Sequence, residues 1–214
     1  MEWGAIFHII QESIALFLGL MILKDLAPLA KSHKERLPEL FWLEAWAGFG
    51  VLFTFIHIVL ASSGIANLES IIPLTYLPER ISDSIFALFA VFPPRSAKKY
   101  ANNLLGVSSF LILFFVAAGV YAFSHIAHFP GVIGRPQELI QVIPAAVVFG
   151  RLLDMKKGFG KFLKWSTLAT LVGGSVMLFS HKVFDPAFDV AHWLKIVSYG
   201  IVYANVRWLK GRLE

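Results

Sequence analysis

Apolar runs of about twenty residues recur along the chain, and a run of that length coiled into a helix matches the roughly 30 Å hydrocarbon thickness of a bilayer. The clearest extend from about Trp3 to Leu29, Leu40 to Ala66 and Asn103 to Phe129. Three more extend from about Gln137 to Leu153, Phe159 to Phe184 and Ala187 to Leu209, each bounded by charge or by Pro and Gly. The remaining segment is shorter: Ile81 to Phe92 needs Tyr76 to Arg80 to reach spanning length, and Pro73 and Pro78 make its entry irregular. The expected fold is all-α, a polytopic integral membrane protein built as a seven-transmembrane-helix bundle. It forms a single domain over residues 1–214 in the cell (inner) membrane, with the lipid bilayer as its surroundings.

Composition agrees with that expectation. Of 214 residues, 57% are hydrophobic and 15% charged, whereas soluble domains run at about 45–50% apolar and about a quarter charged. No polar segment is long enough to fold separately in water, which excludes a soluble catalytic output domain within these residues. Cysteine is absent, so disulfides, thiolate nucleophiles, iron–sulfur clusters and Cys-type zinc sites are excluded together. The first apolar run is too long, and lacks the basic leader, for a cleavable signal peptide.

The basic residues set the expected orientation. In an alternating seven-helix layout one face receives Lys24, Lys31, Lys34, Arg36, then the groups beginning at Arg95 and Arg151, and finally Arg207, Lys210 and Arg212. The other face receives only Arg80, Arg135 and Lys182. Positive loops stay in the cytoplasm, so the N-terminus is expected outside and the C-terminus inside. The net charge of +5 is thereby a matter of topology and implies no nucleic-acid partner.

In that frame His8, His57, His125, His128, His181 and His192 fall in the outer half and only His33 is cytoplasmic. Residues three, four or seven apart share a helical face. His8, Glu12, Ala15 and Gly19 therefore align in the first helix, Tyr121, His125 and His128 in the fourth, and Thr170, Gly174, Met177 and His181 in the sixth. Asp189, His192, Lys195 and Tyr199 align in the seventh. Ionisable groups at membrane depth face the bundle interior or a wet cavity, which predicts a polar pocket opening outward. Glu79, Arg80 and Asp83 are expected to pair with one another or to complement the start of their helix. Gly48, Gly173 and Gly174 are expected to permit close helix packing.

Neutral imidazoles ligate zinc, copper, nickel and haem iron. Haem b is the first expectation, held by two of His8, His57, His125 and His192. A bare transition ion such as Zn, Cu or Ni is the other, with His57, His125, His128, His181 and His192 as candidate ligands, and with His181 and His192 facing each other across the last hairpin. No HExxH, GxSxG, P-loop or Gly-rich dinucleotide motif is present, and no catalytic residue is assigned. The resulting expectation is a haem- or metal-binding protein of redox sensing, signalling or electron transfer, with quinone or a signalling or redox protein as partner. Two alternatives stand beside it: a small-molecule, lipid or pH receptor without a metal, and an intramembrane metal-dependent hydrolase with Glu12 as general base. Lys195 invites comparison with a retinal Schiff-base lysine, but Ala191 stands where a counterion is wanted, and the expected role of Lys195 is to pair with a nearby carboxylate.

The stretch Phe188 to Tyr199, with its pattern AH-x-x-K-x-x-x-Y, resembles the final transmembrane helix of seven-helix membrane-associated sensor (MASE-type) domains of bacterial and archaeal signalling proteins. The resemblance covers about the last twenty-residue span and implies that His192 and Lys195 belong to a sensory pocket. In those proteins the helix leads into a cytoplasmic kinase or cyclase. Here only Trp208 to Glu214 follow Arg207, which implies a separate signalling partner, a role other than signalling, or a domain excised from a longer chain.

Overall fold

A computed structural model describes residues 3–33, 38–63, 68–91, 116–123, 127, 129–154 and 159–213. Every regular element among them is helical: α1 Trp3–His33, α2 Pro38–Ser62, α3 Leu68–Val91, α4 at 116–123, α5 Leu139–Leu153, α6 Phe159–Met177 and α7 Pro186–Leu213. A 3-10 turn, Pro136–Glu138, leads into α5. Two of these helices, α1 and the Leu40–Ser62 part of α2, are long and apolar enough to cross a membrane.

The seven helical segments follow the order of the seven apolar runs. Helix α3 starts at Leu68, ahead of the stretch the sequence singles out, and runs through Pro73 and Pro78. Helix α6 stops at Met177 rather than near Phe184, because the chain turns at Ser180–Asp185 to enter α7. Phe184 has a positive φ of 68° at that turn. Asp185 then caps α7: its Oδ1 accepts the Phe188 N–H at 2.8 Å, and Pro186 takes the first helical position, where a missing N–H costs nothing.

Packing closes six of the helices into a ring, α1 on α2, α2 on α3, α3 on α5, α5 on α6, α6 on α7 and α7 back on α1. The main apolar core, with Leu26, Trp42 and Val206 fully or almost fully buried, includes the end of the ring where α1 and α7 finish and α2 begins. At that end Asp25 of α1 binds Lys210 at 2.9 Å and Arg207 at 3.4 Å on α7. The outside of the ring is apolar: Phe7, Ile10, Ile14 and Phe17 of α1 and Val190, Trp193 and Val197 of α7 are exposed. The inside is polar at the other end, where His8, Gln11 and Glu12 are at most 3% exposed. The stripe His8, Glu12, Ala15, Gly19 is indeed the buried face of α1.

The glycines divide. A Cβ at Gly174 would meet Val142 at 3.0 Å and one at Gly173 would meet Leu194 at 3.3 Å, so both sit at close helix approaches. Gly48 does not: nothing lies within 4 Å of the Cβ it lacks, because it borders an open recess beside α1 and α2 rather than a packed neighbour.

Candidate metal centre

Four helices deliver charged or imidazole side chains to the centre of the ring: His8 and Glu12 from α1, His57 from α2, Glu79, Arg80 and Asp83 from α3, and His192 and Lys195 from α7. All are buried. Helical spacing places them: four residues separate His8 from Glu12 and three separate His192 from Lys195, so each pair shares one inward face.

Lys195 is the hub. Its Nζ lies 2.8 Å from Glu12 Oε2 and 2.8 Å from Glu79 Oε1, and 3.4 Å from Thr54 Oγ1. Thr54 in turn donates to Glu79 at 3.4 Å. With one oxygen held by the ammonium, Glu12 turns its other oxygen, Oε1, toward His192 Nε2 at 3.4 Å. The His192 ring is fixed from behind, since its Nδ1 donates to the Phe188 carbonyl at 2.7 Å. That bond selects the tautomer in which Nε2 carries a lone pair. A neutral His192 therefore points an acceptor at another acceptor, an arrangement that calls for a cation or a proton between them.

His8 completes the group. Its Nε2 is 2.7 Å from His57 Nε2, so one of the two donates to the other. Its Nδ1 is buried with no hydrogen-bond partner among the described residues. One donor atom each from His8, Glu12 and His192 lies within 4.8 Å of the others. Ligands bound about 2.0–2.2 Å from one ion stand about 3.3–3.6 Å apart, so a rotamer-scale adjustment brings these three onto a common centre. The other nitrogen of His192 already makes the backbone hydrogen bond usual for metal-bound imidazoles. Phe188 and Phe184 roof the cluster, with ring centroids 5.0 and 5.7 Å from that of His8, and the Arg135 guanidinium lies 5.3 Å over the Phe188 ring.

Of the histidines expected in the site, the ring brings together His8, His57 and His192. His181 is not among them: it is exposed at the α6–α7 turn, where its backbone N–H donates to Asp185 Oδ2 at 2.8 Å, so it does not face His192. His125 and His128 lie outside the described residues. Glu79, Arg80 and Asp83 take neither of the expected roles: they make no ion pair with one another within 4 Å, and they stand in the middle of a helix that begins at Leu68 rather than at its start. Each crosses to another helix: Glu79 to Lys195, Arg80 to Glu138 at 3.8 Å, and Asp83 to Gln141 at 3.3 Å. Glu138, fully buried at the head of α5, and Thr54 were not singled out by the sequence. The signal for Glu138 was its place between Pro136 and a long apolar run, which reads equally well as a loop.

Comparison with family models, curated proteins and solved structures finds no match for this chain.

Proposed function

We propose that the protein is a multi-pass membrane protein binding one divalent first-row transition ion through His8, Glu12 and His192. In this reading it uses the ion in redox sensing or electron transfer. The observation that carries the reading is the pair of acceptors, His192 Nε2 and Glu12 Oε1, held 3.4 Å apart inside the ring beside His8. Two imidazoles and a carboxylate leave coordination positions open on copper or iron, which can change oxidation state as zinc cannot. The ring's apolar exterior and polar interior support the bilayer setting, since intramembrane charges face inward. Seven spans with the C-terminus cytoplasmic is the arrangement that the basic residues favour.

The described histidines favour a bare ion over haem b. Ring centroids of His8 and His192 are 4.6 Å apart, and those of His8 and His57 are 5.0 Å apart with their Nε2 atoms in contact. A macrocycle between either pair would need them to stand apart on its opposite faces. A change of ion charge would act on Glu12 and so on Lys195, giving α7 a route for a signal toward Arg207 and a partner protein. Quinol in the bilayer is the electron donor this placement suits.

A second reading rests on the same gap. A proton between His192 and Glu12, shared with the His8–His57 pair, would make the cluster a metal-free pH receptor. Metal analysis of detergent-purified protein separates the two. The metal reading predicts one transition ion per chain, lost in His8→Ala and in His192→Ala. Metal-free protein that remains folded supports the receptor.

A further inference from the structure

The geometry points to a water-filled entry path that carries protons from the C-terminal face of the ring to the buried charge cluster, with Asp83 as its relay carboxyl. This rests on the membrane reading above, since only there do the ends of the ring face different compartments.

Three voids follow one another down the inside of the ring. The first, about 10 Å³, lies among Glu12, Glu79, His192 and Lys195. The second, about 20 Å³, shares Arg80 and Lys195 with it and adds Asp83 and Tyr199. The third, about 60 Å³, shares Asp83, Thr170 and Ser198 with the second and descends to Val91 and Leu152, at the ends of α3 and α5. A water needs about 10–15 Å³ of such space and two to four polar partners, so the series holds about one water, then one, then several.

The polar atoms needed to bind them are present and unspent. Asp83 is 8% exposed; Gln141 donates to its Oδ2 at 3.3 Å and the Trp46 indole also reaches the carboxyl, while Oδ1 makes no close hydrogen bond among the described residues. The same holds for the Tyr199 hydroxyl, on a residue 3% exposed. Both line the middle void. An orphaned buried carboxylate oxygen and phenol are costly in a dry interior, and water between them removes that cost. Below Asp83 the hydroxyls of Thr170, Ser198 and Ser166 form a continuous chain, with Ser198 Oγ 3.0 Å from each of the other two. Each hydroxyl both donates and accepts, as proton relay requires. The charged and titratable groups around Asp83 are Glu79 and Arg80 on its own helix, Lys195 and Tyr199 on α7, Glu12 beyond Lys195 on α1, and Glu138 at the head of α5. Toward the other end Phe184 and Phe188 cover His8, and the hydroxyls of Tyr76 and Ser180 there are already paired: Tyr76 accepts from Gln137 at 2.9 Å, and Ser180 accepts from Arg135 and donates to the Lys182 carbonyl, both at 3.1 Å.

Because the chain has no cysteine, single cysteines placed in full-length protein in sealed, oriented proteoliposomes report water access directly. Ag⁺, a small hydrated cation that caps thiols only where water reaches them, is added at one face, and uncapped thiol is then counted with maleimide after denaturation. Silver at the face bearing Arg212 is expected to protect Ser198→Cys and Thr170→Cys. It should leave Val197→Cys, which faces outward one residue away, fully labelled. Silver at the opposite face should protect none of the three. Failure to protect either Ser198→Cys or Thr170→Cys, or equal protection of Val197→Cys, overturns the path. Lys182→Cys and Arg212→Cys in the same vesicles, probed with an impermeant maleimide, test the membrane reading separately. Labelling of both from one face overturns that reading and the path with it, whereas labelling from opposite faces leaves the silver result to decide the path alone.

Discussion

Lys195 Nζ stands 2.8 Å from Glu12 Oε2 in a contact that joins the last helix to the first across 183 residues of chain. The same ammonium holds Glu79 at 2.8 Å, so one cation from α7 fastens α1 and α3. Removing one partner of a buried ion pair leaves an uncompensated charge and costs about 3–5 kcal/mol. Lys195→Met is therefore expected to destabilise the protein by an amount of that order, read as a lowered midpoint of thermal unfolding in detergent. Adding Glu12→Gln to Lys195→Met should recover part of the loss, because one of the two stranded carboxylates is then neutral.

Much of this centre was legible in the sequence. The inward stripes of α1 and α7 follow from the 3.6-residue period alone, and they name His8, Glu12, His192 and Lys195. That Lys195 meets a carboxylate was legible; which carboxylates it meets, and the remaining pairings, were not. Glu79, Arg80 and Asp83 lie within one turn or so of each other, and spacing favours local pairs over the three separate cross-helix contacts that form. Which of the histidines meet depends on helix rotation and ring order, quantities set by packing between segments far apart in sequence. His181 shows the difference: its phase on α6 is right, but the helix ends at Met177 and the residue falls in the turn.

Asp185 gives a prediction with a pH sign. Burial pushes its carboxyl up, but the backbone N–H groups of Phe188, Lys182 and His181 outweigh this and hold it below the ordinary value of 3.8. A depressed folded pKa means the contribution is complete above the unfolded value and is lost as pH falls through the folded one. Asp185→Ala should thus cost about 1 kcal/mol near neutrality, the usual worth of an N-cap. The difference in unfolding midpoint between the two proteins should shrink once the pH drops below about 3.8.

Close packing can be tested with three glycines, two within helices and one, Gly134, in the loop ahead of Pro136. Gly174→Ala must displace Val142, 3.0 Å from the new methyl, and overpacking of this kind costs about 1–3 kcal/mol. Gly134→Ala should be worse, because its methyl meets the rigid backbone carbonyl of Ser180. Gly48→Ala meets nothing and should leave the unfolding midpoint unchanged or raise it slightly, since alanine is the better helix former.

The Phe188 carbonyl fixes the His192 tautomer, so the ligand nitrogen should be specific. His192→Gln, which cannot present the same lone pair from the same position, is expected to lose the ion while keeping the helical circular dichroism of the parent. An equal metal content in the two proteins would remove His192 from the ligand set.

The most direct test of the central claim is the transition-metal content of purified, chelator-washed protein, measured beside His8→Ala, Glu12→Gln, His192→Ala and, as a control, His181→Ala. The account predicts about one ion per chain in the parent and in His181→Ala, and little in the other three. Equal metal in all five, or loss confined to His181→Ala, would contradict it.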